Sequence, residues 1–185
     1  MKTDDIKDVL DNVRPGFEFN VGHVAKYLQG TGLDMGCGSC PLLLGDCYHI
    51  DISPQPLCEE QVPEGRFIQA DAVAYVHSED VDFIFSSHMV EDLESIGDII
   101  NCLNDWSRMI KPEGHMVLLL PDMQGGRYYT VAEGGNPSHR VDVGKDFVLE
   151  IMPMLPLLRL IQLDTIPHNK SCTIDVVFKR VTYGV

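Results

Sequence analysis

Three aspartates, Asp34, Asp51 and Asp71, each stand at the end of a short hydrophobic segment. The first segment runs into Gly36 and Gly38, which reach backbone angles closed to other residues and carry no Cβ to keep a ligand away. Carboxylates bind hydroxyl and amino groups, whereas a nucleotide-phosphate site is expected to supply lysine or arginine. The pattern therefore favours a polar ligand without phosphate, bound beside a glycine turn at the ends of strands.

Two phosphate-binding motifs are excluded at this turn. A dinucleotide site would place a third glycine at position 41, which is Pro41, and a P-loop would continue with Gly-Lys-Ser/Thr. Cys37 and Cys40 have C-x-x-C spacing, but no second pair and no His-x-x-x-His completes a zinc site. A redox pair within the turn is the alternative interpretation.

Two histidines are candidates for a general base, because imidazole titrates near neutral pH. His88 follows the strand pattern of residues 81–87, and His139 lies in the glycine-broken segment 122–143. For each, the alternative is a surface or loop residue that transfers no proton. His88-x-x-Glu91 also has the spacing of half a metal site, without a third and fourth ligand, so no metal is predicted.

Segment 122–143 is long for a loop in a compact domain, and such loops are usually functional or mobile. Its side chains Tyr128, Tyr129 and Arg140 are the candidates to shape a substrate pocket.

The elements that position these residues alternate between strands and helices. Strand patterns end in acids or small polar residues, and a long amphipathic helix pattern covers 93–110. The strand patterns cover 48–52, 66–71, 81–87 and 115–121. Such alternation predicts an α/β fold with a mostly parallel sheet covered on both faces. Ligands of these sheets lie beyond the carboxyl ends of the strands, where the acids are.

Both ends of the chain add further elements to this core. Apolar spacing predicts helices over 4–13 and 21–28 before the first strand and a short helix over 145–152. Strand patterns at 157–163 and 173–181 predict a C-terminal antiparallel hairpin at the sheet edge. We expect one domain, with a helical cover (1–30), a ligand-binding core (31–121) and a substrate loop with hairpin (122–185).

Composition limits the classes of partner. The 185 residues carry 14 basic and 28 acidic side chains, a net charge of −14, which disfavours binding to nucleic acid. No signal-peptide pattern opens the chain, and no apolar run approaches the roughly twenty residues of a membrane span. A cytoplasmic protein with reduced cysteines is therefore expected. The oligomeric state is left open.

The motifs resemble, in order, those of the S-adenosylmethionine-dependent methyltransferases with the Rossmann-like, seven-stranded class I fold, and methyltransferase type 11 in particular. Residues 33–38 are similar to the first motif, 49–54 to the second, 69–72 to the third, 83–93 to the fourth, and 110–115 to the turn before the fifth strand. Two departures are Cys40 in place of the usual third glycine and Glu113 in the last turn. The stretch from Gly36 to Asp51 is also short, which puts the first crossover helix in doubt.

The resemblance implies a doubly wound sheet, S-adenosyl-L-methionine as cofactor and methyl transfer to oxygen or nitrogen of a small molecule, such as a sugar or other metabolite. In this family the second-motif acid, here Asp51, takes the ribose hydroxyls, and the third-motif acid, here Asp71, takes the adenine amino group. The cofactor-binding residues implied are Asp34, Gly36, Cys37, Gly38, Asp51, Ile52, Asp71, Ala72, Ser86 and Ser87. A protein side chain as acceptor, or a cofactor-binding regulatory subunit without turnover, are the alternatives.

Overall fold

The computed structural model describes residues 21–53, 62–123, 130–167 and 172–182. Within these residues the strands are β1 Thr31–Met35, β2 Asp46–Asp51, β3 Phe67–Gln69, β4 Val81–Ser87, β5 Ile110–Pro121, β6 Leu158–Pro167 and β7 Cys172–Arg180. The α-helices are α1 Ile96–Met109 and α2 Lys145–Ile151. Short 3₁₀ turns lie at Val21–His23, Ala25–Tyr27, Val90–Asp92 and Met152–Met154.

The strands form one sheet in the order β3-β2-β1-β4-β5-β7-β6. The first five strands pair in parallel, and β7 runs antiparallel to both β5 and β6. This arrangement confirms the predicted mostly parallel α/β sheet with a C-terminal antiparallel hairpin, whose turn lies outside the described residues. The strand order reverses between β1 and β4, where ligands of open α/β sheets bind.

The two α-helices cover one face of the sheet. Helix α1 begins after Ser95, whose hydroxyl accepts the amide of Asp98 at 3.2 Å, as an N-cap does. Its apolar side, centred on Trp106, is fully buried against alternate residues of the strands, such as Leu33 and Ile84. Because side chains alternate along a strand, the residues between these point to the other face.

The other face is covered by 3₁₀ turns. The predicted α-helix over 21–28 is wrong, because the chain forms the two short turns within Val21–Tyr27 instead. Val24, Ala25 and Leu28 are nevertheless buried against Phe83. An i, i+3 spacing buries the same side chains in a 3₁₀ turn as in an α-helix, which explains why the burial is correct although the helix type is not. The predicted helix over 4–13 lies outside the described residues.

The connection from β1 to β2 contains no helix, in agreement with the doubt that the short spacing raised. Residues 40–45 instead cross the second face as an extended loop. Leu42 and Leu44 of this loop are buried beside Phe85. The glycine turn therefore leads directly into a loop that packs on the sheet.

Candidate active site

The chain bends sharply where β1 ends. The amides of Gly36 and Cys37 both donate to the carbonyl of Ile50 in β2, at 2.9 and 3.2 Å. Gly36 and Gly38 have positive φ angles of 72° and 54°, which favour glycine. A Cβ built on Gly38 would have no heavy atom of the described residues within 4 Å. This side of the turn is therefore open to a ligand.

Two of the three predicted aspartates lie together at this edge. The Asp51 carboxylate accepts the amide of Gly38 at 2.8 Å and the amide of Ser53 at 3.0 Å. The exposed Asp71 carboxylate accepts the amide of Val73 at 2.9 Å. A backbone hydrogen bond connects the two chain segments that carry these aspartates, because the amide of Ala70 donates to the carbonyl of Asp51 at 2.9 Å. Asp51 therefore stands at the end of β2 beside the glycine turn, and Asp71 follows the end of the neighbouring strand β3.

Asp34 is placed differently. Its side chain is 2% exposed and lies on the sheet face opposite the α-helices, where Leu42 packs. One carboxylate oxygen accepts the amide of Leu42 at 2.7 Å and lies 3.0 Å from Nδ1 of His49. A carboxylate engaged in this way holds the 40–45 loop, and the expectation of a direct contact between Asp34 and the cofactor does not agree with its placement.

The other predicted cofactor residues surround the turn in different environments. Ile52, after Asp51, has 68% of its surface exposed, as expected of an apolar side chain that a planar ligand would cover. The Ser86 hydroxyl is buried and donates to the carbonyl of Met35 at 2.8 Å, so it joins β4 to the start of the turn. Cys37 and Ala72 are buried, and Ser87 is half-buried.

The structure brings both candidate histidines to one buried carboxyl group. Nδ1 of His88 lies 3.5 Å from Oε1 of Glu91, and Nε2 of His139 lies 3.7 Å from the same oxygen. The amides of Arg140 and Val141 donate to the backbone carbonyl of Glu91 at 2.8 and 3.2 Å, which fixes the loop that carries His139. Sequence spacing related Glu91 to His88 alone, whereas its relation to His139 depends on tertiary structure.

The neighbours of His139 determine which ring nitrogen carries its proton. The backbone amide of Ser138 donates to Oδ1 of Asn136 at 3.1 Å, which leaves the amide nitrogen of Asn136 facing Nε2 of His139 at 3.2 Å. That nitrogen donates, so Nε2 accepts and the proton of neutral His139 lies on Nδ1. Nδ1 is buried without a hydrogen-bond partner among the described residues. His139 therefore presents a hydrogen-bond donor.

The cluster is close to neutral in charge. Complete burial raises the pKa of Glu91 to about 8, and the nearby Asp92 carboxylate adds to the increase. Burial also lowers the pKa of His139, although Asp92 and Asp142 oppose this change. At neutral pH a protonated Glu91 therefore faces an uncharged His139.

The structure describes only one of the three predicted substrate residues. Arg140 is exposed, donates to the carbonyl of Pro137 at 3.1 Å and lies 3.9 Å from the Glu94 carboxylate. Tyr128 and Tyr129 lie outside the described residues. Within the described ranges, no group of three His, Cys, Asp or Glu side chains is arranged to hold a metal ion, and no helix has the length and apolarity to cross a membrane.

The edge fits a ligand with hydroxyl and amino groups. Asp51 and Asp71 supply carboxylate acceptors, Ile52 supplies an exposed apolar surface, and Gly38 leaves the space over the turn open. The nucleoside part of S-adenosylmethionine offers the complementary groups and has no phosphate.

Comparisons with known proteins agree with this assignment. The family model described as "Methyltransferase domain" matches residues 33–118. The structure of the N-methyltransferase NodS from Bradyrhizobium japonicum, in complex with S-adenosylhomocysteine, has a TM-score of 0.61 and 13% identity. That alignment covers 96% of this chain and 97% of NodS. Residues 33–118 are a methyltransferase domain.

Two further structures share the class I fold of this chain. A methyltransferase from Methanosarcina mazei has a TM-score of 0.64 and 16% identity, with coverage of 86% of this chain and 97% of the other. The 1,6-didemethyltoxoflavin-N1-methyltransferase of Burkholderia thailandensis has a TM-score of 0.66 and 11% identity, with coverage of 97% and 84%. No curated protein matches the sequence. The structures of NodS and of the toxoflavin enzyme both contain S-adenosylhomocysteine.

Proposed function

We propose that this protein is an S-adenosylmethionine-dependent methyltransferase that transfers the methyl group to an oxygen or nitrogen of a small molecule, such as a sugar or other metabolite. We also propose that His88 removes the proton of the accepting atom. The observation that carries the proposal is the convergence of His88 and His139 on the buried Glu91. A base is needed only when the acceptor carries a proton that must leave, as a hydroxyl or an amine does.

Two further observations support a small acceptor. NodS and the toxoflavin enzyme are both named as N-methyltransferases, and the toxoflavin enzyme holds a small heterocycle beside S-adenosylhomocysteine. The net charge of −14 disfavours a nucleic-acid acceptor.

The chain holds the cofactor through residues around the glycine turn. Asp51 would accept from the ribose hydroxyls and Asp71 from the adenine amino group, while Ile52 would cover the adenine. Gly36, Cys37 and Gly38 form the turn, and Ala72, Ser86 and Ser87 complete its surroundings. When bound, the cofactor supplies an electrophilic methyl group on a sulfonium. Asp34 positions the 40–45 loop, which follows the glycine turn, and thereby supports the turn.

The residues that face the acceptor have separate roles. His88 accepts the proton, and its Nδ1 faces Oε1 of Glu91 at 3.5 Å. His139 donates from Nδ1 to an oxygen or nitrogen lone pair of the acceptor, because Asn136 occupies its other nitrogen. Tyr128, Tyr129 and Arg140 remain the candidates to shape the acceptor pocket, and the two tyrosines lie outside the described residues. Alignment of acceptor and methyl supplies much of the rate, because it removes the entropic cost of bringing two reactants together.

The test is methyl transfer from tritiated S-adenosylmethionine to a cell extract separated into metabolites and proteins. We expect label in the metabolite fraction, and we expect His88→Ala to lower it by roughly 10²- to 10⁴-fold while cofactor affinity is kept. His77→Ala is the matched control, since His77 bonds to Tyr75 away from the turn. Label confined to proteins would support a side-chain methyltransferase, and no label in either fraction would support a regulatory subunit.

A further inference from the structure

Glu91 is a carboxyl group in an environment that does not suit a charge. Its side chain is 0% exposed, and neither carboxyl oxygen has a hydrogen-bond partner among the described residues. Buried carboxylates are ordinarily paired with cations or accept several hydrogen bonds. Burial without such partners favours the protonated form.

The groups around Glu91 do not compensate a negative charge. His88 and His139 approach its Oε1 only to 3.5 and 3.7 Å, at or beyond hydrogen-bonding range. Within the described part of the chain, no lysine or arginine lies within ion-pair distance of the carboxyl, since the Arg140 guanidinium contacts Pro137 and Glu94 instead. The remaining charged groups nearby, Asp92 and Asp142, are negative. Ionisation therefore needs a cation that the described residues do not supply.

The segment that carries Glu91 packs against the cofactor turn. A Cβ built on Gly36 would lie 2.6 Å from Cγ of Met89, so this side chain rests directly on the turn. His88, the residue before it, is held at a φ of 52° as the chain leaves β4. A positive charge brought to the turn is thus brought to the neighbourhood of Glu91.

We propose that Glu91 is protonated in the free methyltransferase, releases this proton when the positively charged S-adenosylmethionine binds, and then receives the proton of the acceptor through His88. The inference rests on the proposed function, because it assigns the destination of the acceptor's proton.

The step balances in atoms and charge. The acceptor's lone pair forms the bond to the methyl carbon, and the methyl–sulfur bond breaks with its electron pair on sulfur. The acceptor's proton passes to His88 and from there to the Glu91 carboxylate. The charge of the sulfonium and that of the carboxylate disappear together, so the product state is again neutral. One proton per turnover is released to solvent, at cofactor binding.

S-adenosylmethionine and S-adenosylhomocysteine separate this effect from ordinary binding, because they differ in one methyl group and one positive charge. The experiment is isothermal titration calorimetry of both ligands at pH 7, in phosphate and in imidazole buffer, whose protonation enthalpies differ. The buffer dependence of the heat gives the protons released per site. We expect S-adenosylmethionine to release roughly 0.5 to 0.9 proton more than S-adenosylhomocysteine, given the pKa of about 8 for Glu91.

Glu91→Gln removes the titrating group and keeps the shape of the neutral side chain. We expect this variant to fold, to bind both ligands and to release equal numbers of protons with each. Glu94→Gln is the matched control, because Glu94 is largely exposed, and it should retain the wild-type difference. Equal release in the wild type, or a difference that persists in Glu91→Gln, would overturn the inference.

The proposed function fails in a different way. No acceptor takes part in the calorimetry, so a wrong acceptor class leaves its result unchanged. If the calorimetry contradicts the inference on Glu91, the labelling of metabolites still tests the proposed reaction independently.

Discussion

The acidic residues near the glycine turn occupy three kinds of environment, and each environment gives a different role. Asp34 is buried and bonded to the 40–45 loop, whereas Asp51 and Asp71 stand at the open edge. Glu91 is buried without a hydrogen-bond partner among the described residues. The first environment makes the carboxylate a loop anchor. For the other two we propose a ligand-binding group and a proton acceptor.

We predict that Asp51→Ala weakens the binding of S-adenosylhomocysteine more than Asp71→Ala does. Asp51 loses its contact with the ribose and also its 2.8 Å bond to the Gly38 amide, which shapes the turn. A hydrogen bond to a charged group contributes about 1.5–3 kcal/mol, so each variant should lose at least about tenfold in affinity. Calorimetric titration measures the loss. Asp105→Ala, on the exposed side of α1, is the control, and unchanged affinity in both edge variants would contradict the site.

The raised pKa of Glu91 also leads us to expect that the free energy of unfolding depends on pH. Its folded-state pKa of about 8 lies above the ordinary value of 4.5, so the folded state binds more protons between these values. Its stabilising contribution is therefore complete below about pH 4.5 and is lost as pH rises through 8. We predict that Glu91→Gln, which cannot ionise, gains on the order of 4 kcal/mol over the wild type between pH 4.5 and 8. Urea unfolding at both pH values measures this gain, and a difference that does not grow with pH would contradict it.

The residues of the site differ in how well their positions can be predicted from the sequence. Asp51 and Asp71 follow strand patterns directly, so their place at the carboxyl edge could be predicted. The orientation of Asp34 depends on which face of β1 the helices cover, a tertiary property. The contact between Glu91 and His139 joins residues 48 positions apart across an irregular loop, and no periodic pattern predicts it.

Among the elements, the glycine turn gives a matched pair of variants. In Gly36→Ala the added Cβ would meet Cγ of Met89 at 2.6 Å, whereas in Gly38→Ala it would enter open space. We predict that Gly36→Ala destabilises the fold by displacing the 88–91 segment. Gly38→Ala should cost only about 1–2 kcal/mol of backbone strain and should weaken cofactor binding, because its methyl group occupies the ligand's space. Thermal unfolding and titration with S-adenosylhomocysteine, run on both variants, separate the effects, and full affinity in Gly38→Ala would contradict the placement of the ligand.

The start of β5 shows why an element boundary differs from its sequence prediction. The turn at residues 111–114 was predicted to separate helix from strand, but the strand already begins at Ile110, opposite Val81. Pairing resumes at His115 after a bulge in which Glu113 takes a φ of 70°. Lys111 bridges the bulge to Asp82 at 2.8 Å. The chain thus does turn at the predicted residues. The pairing of Ile110 with Val81 could not be predicted, because it depends on a residue distant in sequence.

At the scale of the whole molecule, the sheet order explains why separate motifs form one site. The chain builds outward from β1 to β3 and then returns to β4 on the other side of β1. The glycine turn, the two edge aspartates and the His88 segment are thereby collected at one edge. Alternating strands and helices predicted the parallel sheet, whereas the cover of the second face by 3₁₀ turns followed from tertiary packing.

Ligand linkage provides the final prediction, on the stability of the whole fold. A ligand that binds only the folded state, at 100 times its dissociation constant, stabilises it by about 2.7 kcal/mol. For a chain of this length, that corresponds to a rise in melting temperature of about 5–10 °C. We expect this rise with S-adenosylmethionine and S-adenosylhomocysteine but not with NAD, because Pro41 stands where the dinucleotide motif needs glycine. Differential scanning calorimetry checks it, and a shift with NAD alone would contradict the cofactor. Asp51→Ala should lose about half of the shift or more at the same ligand concentration, because a tenfold lower affinity leaves only about 1.4 kcal/mol of stabilisation.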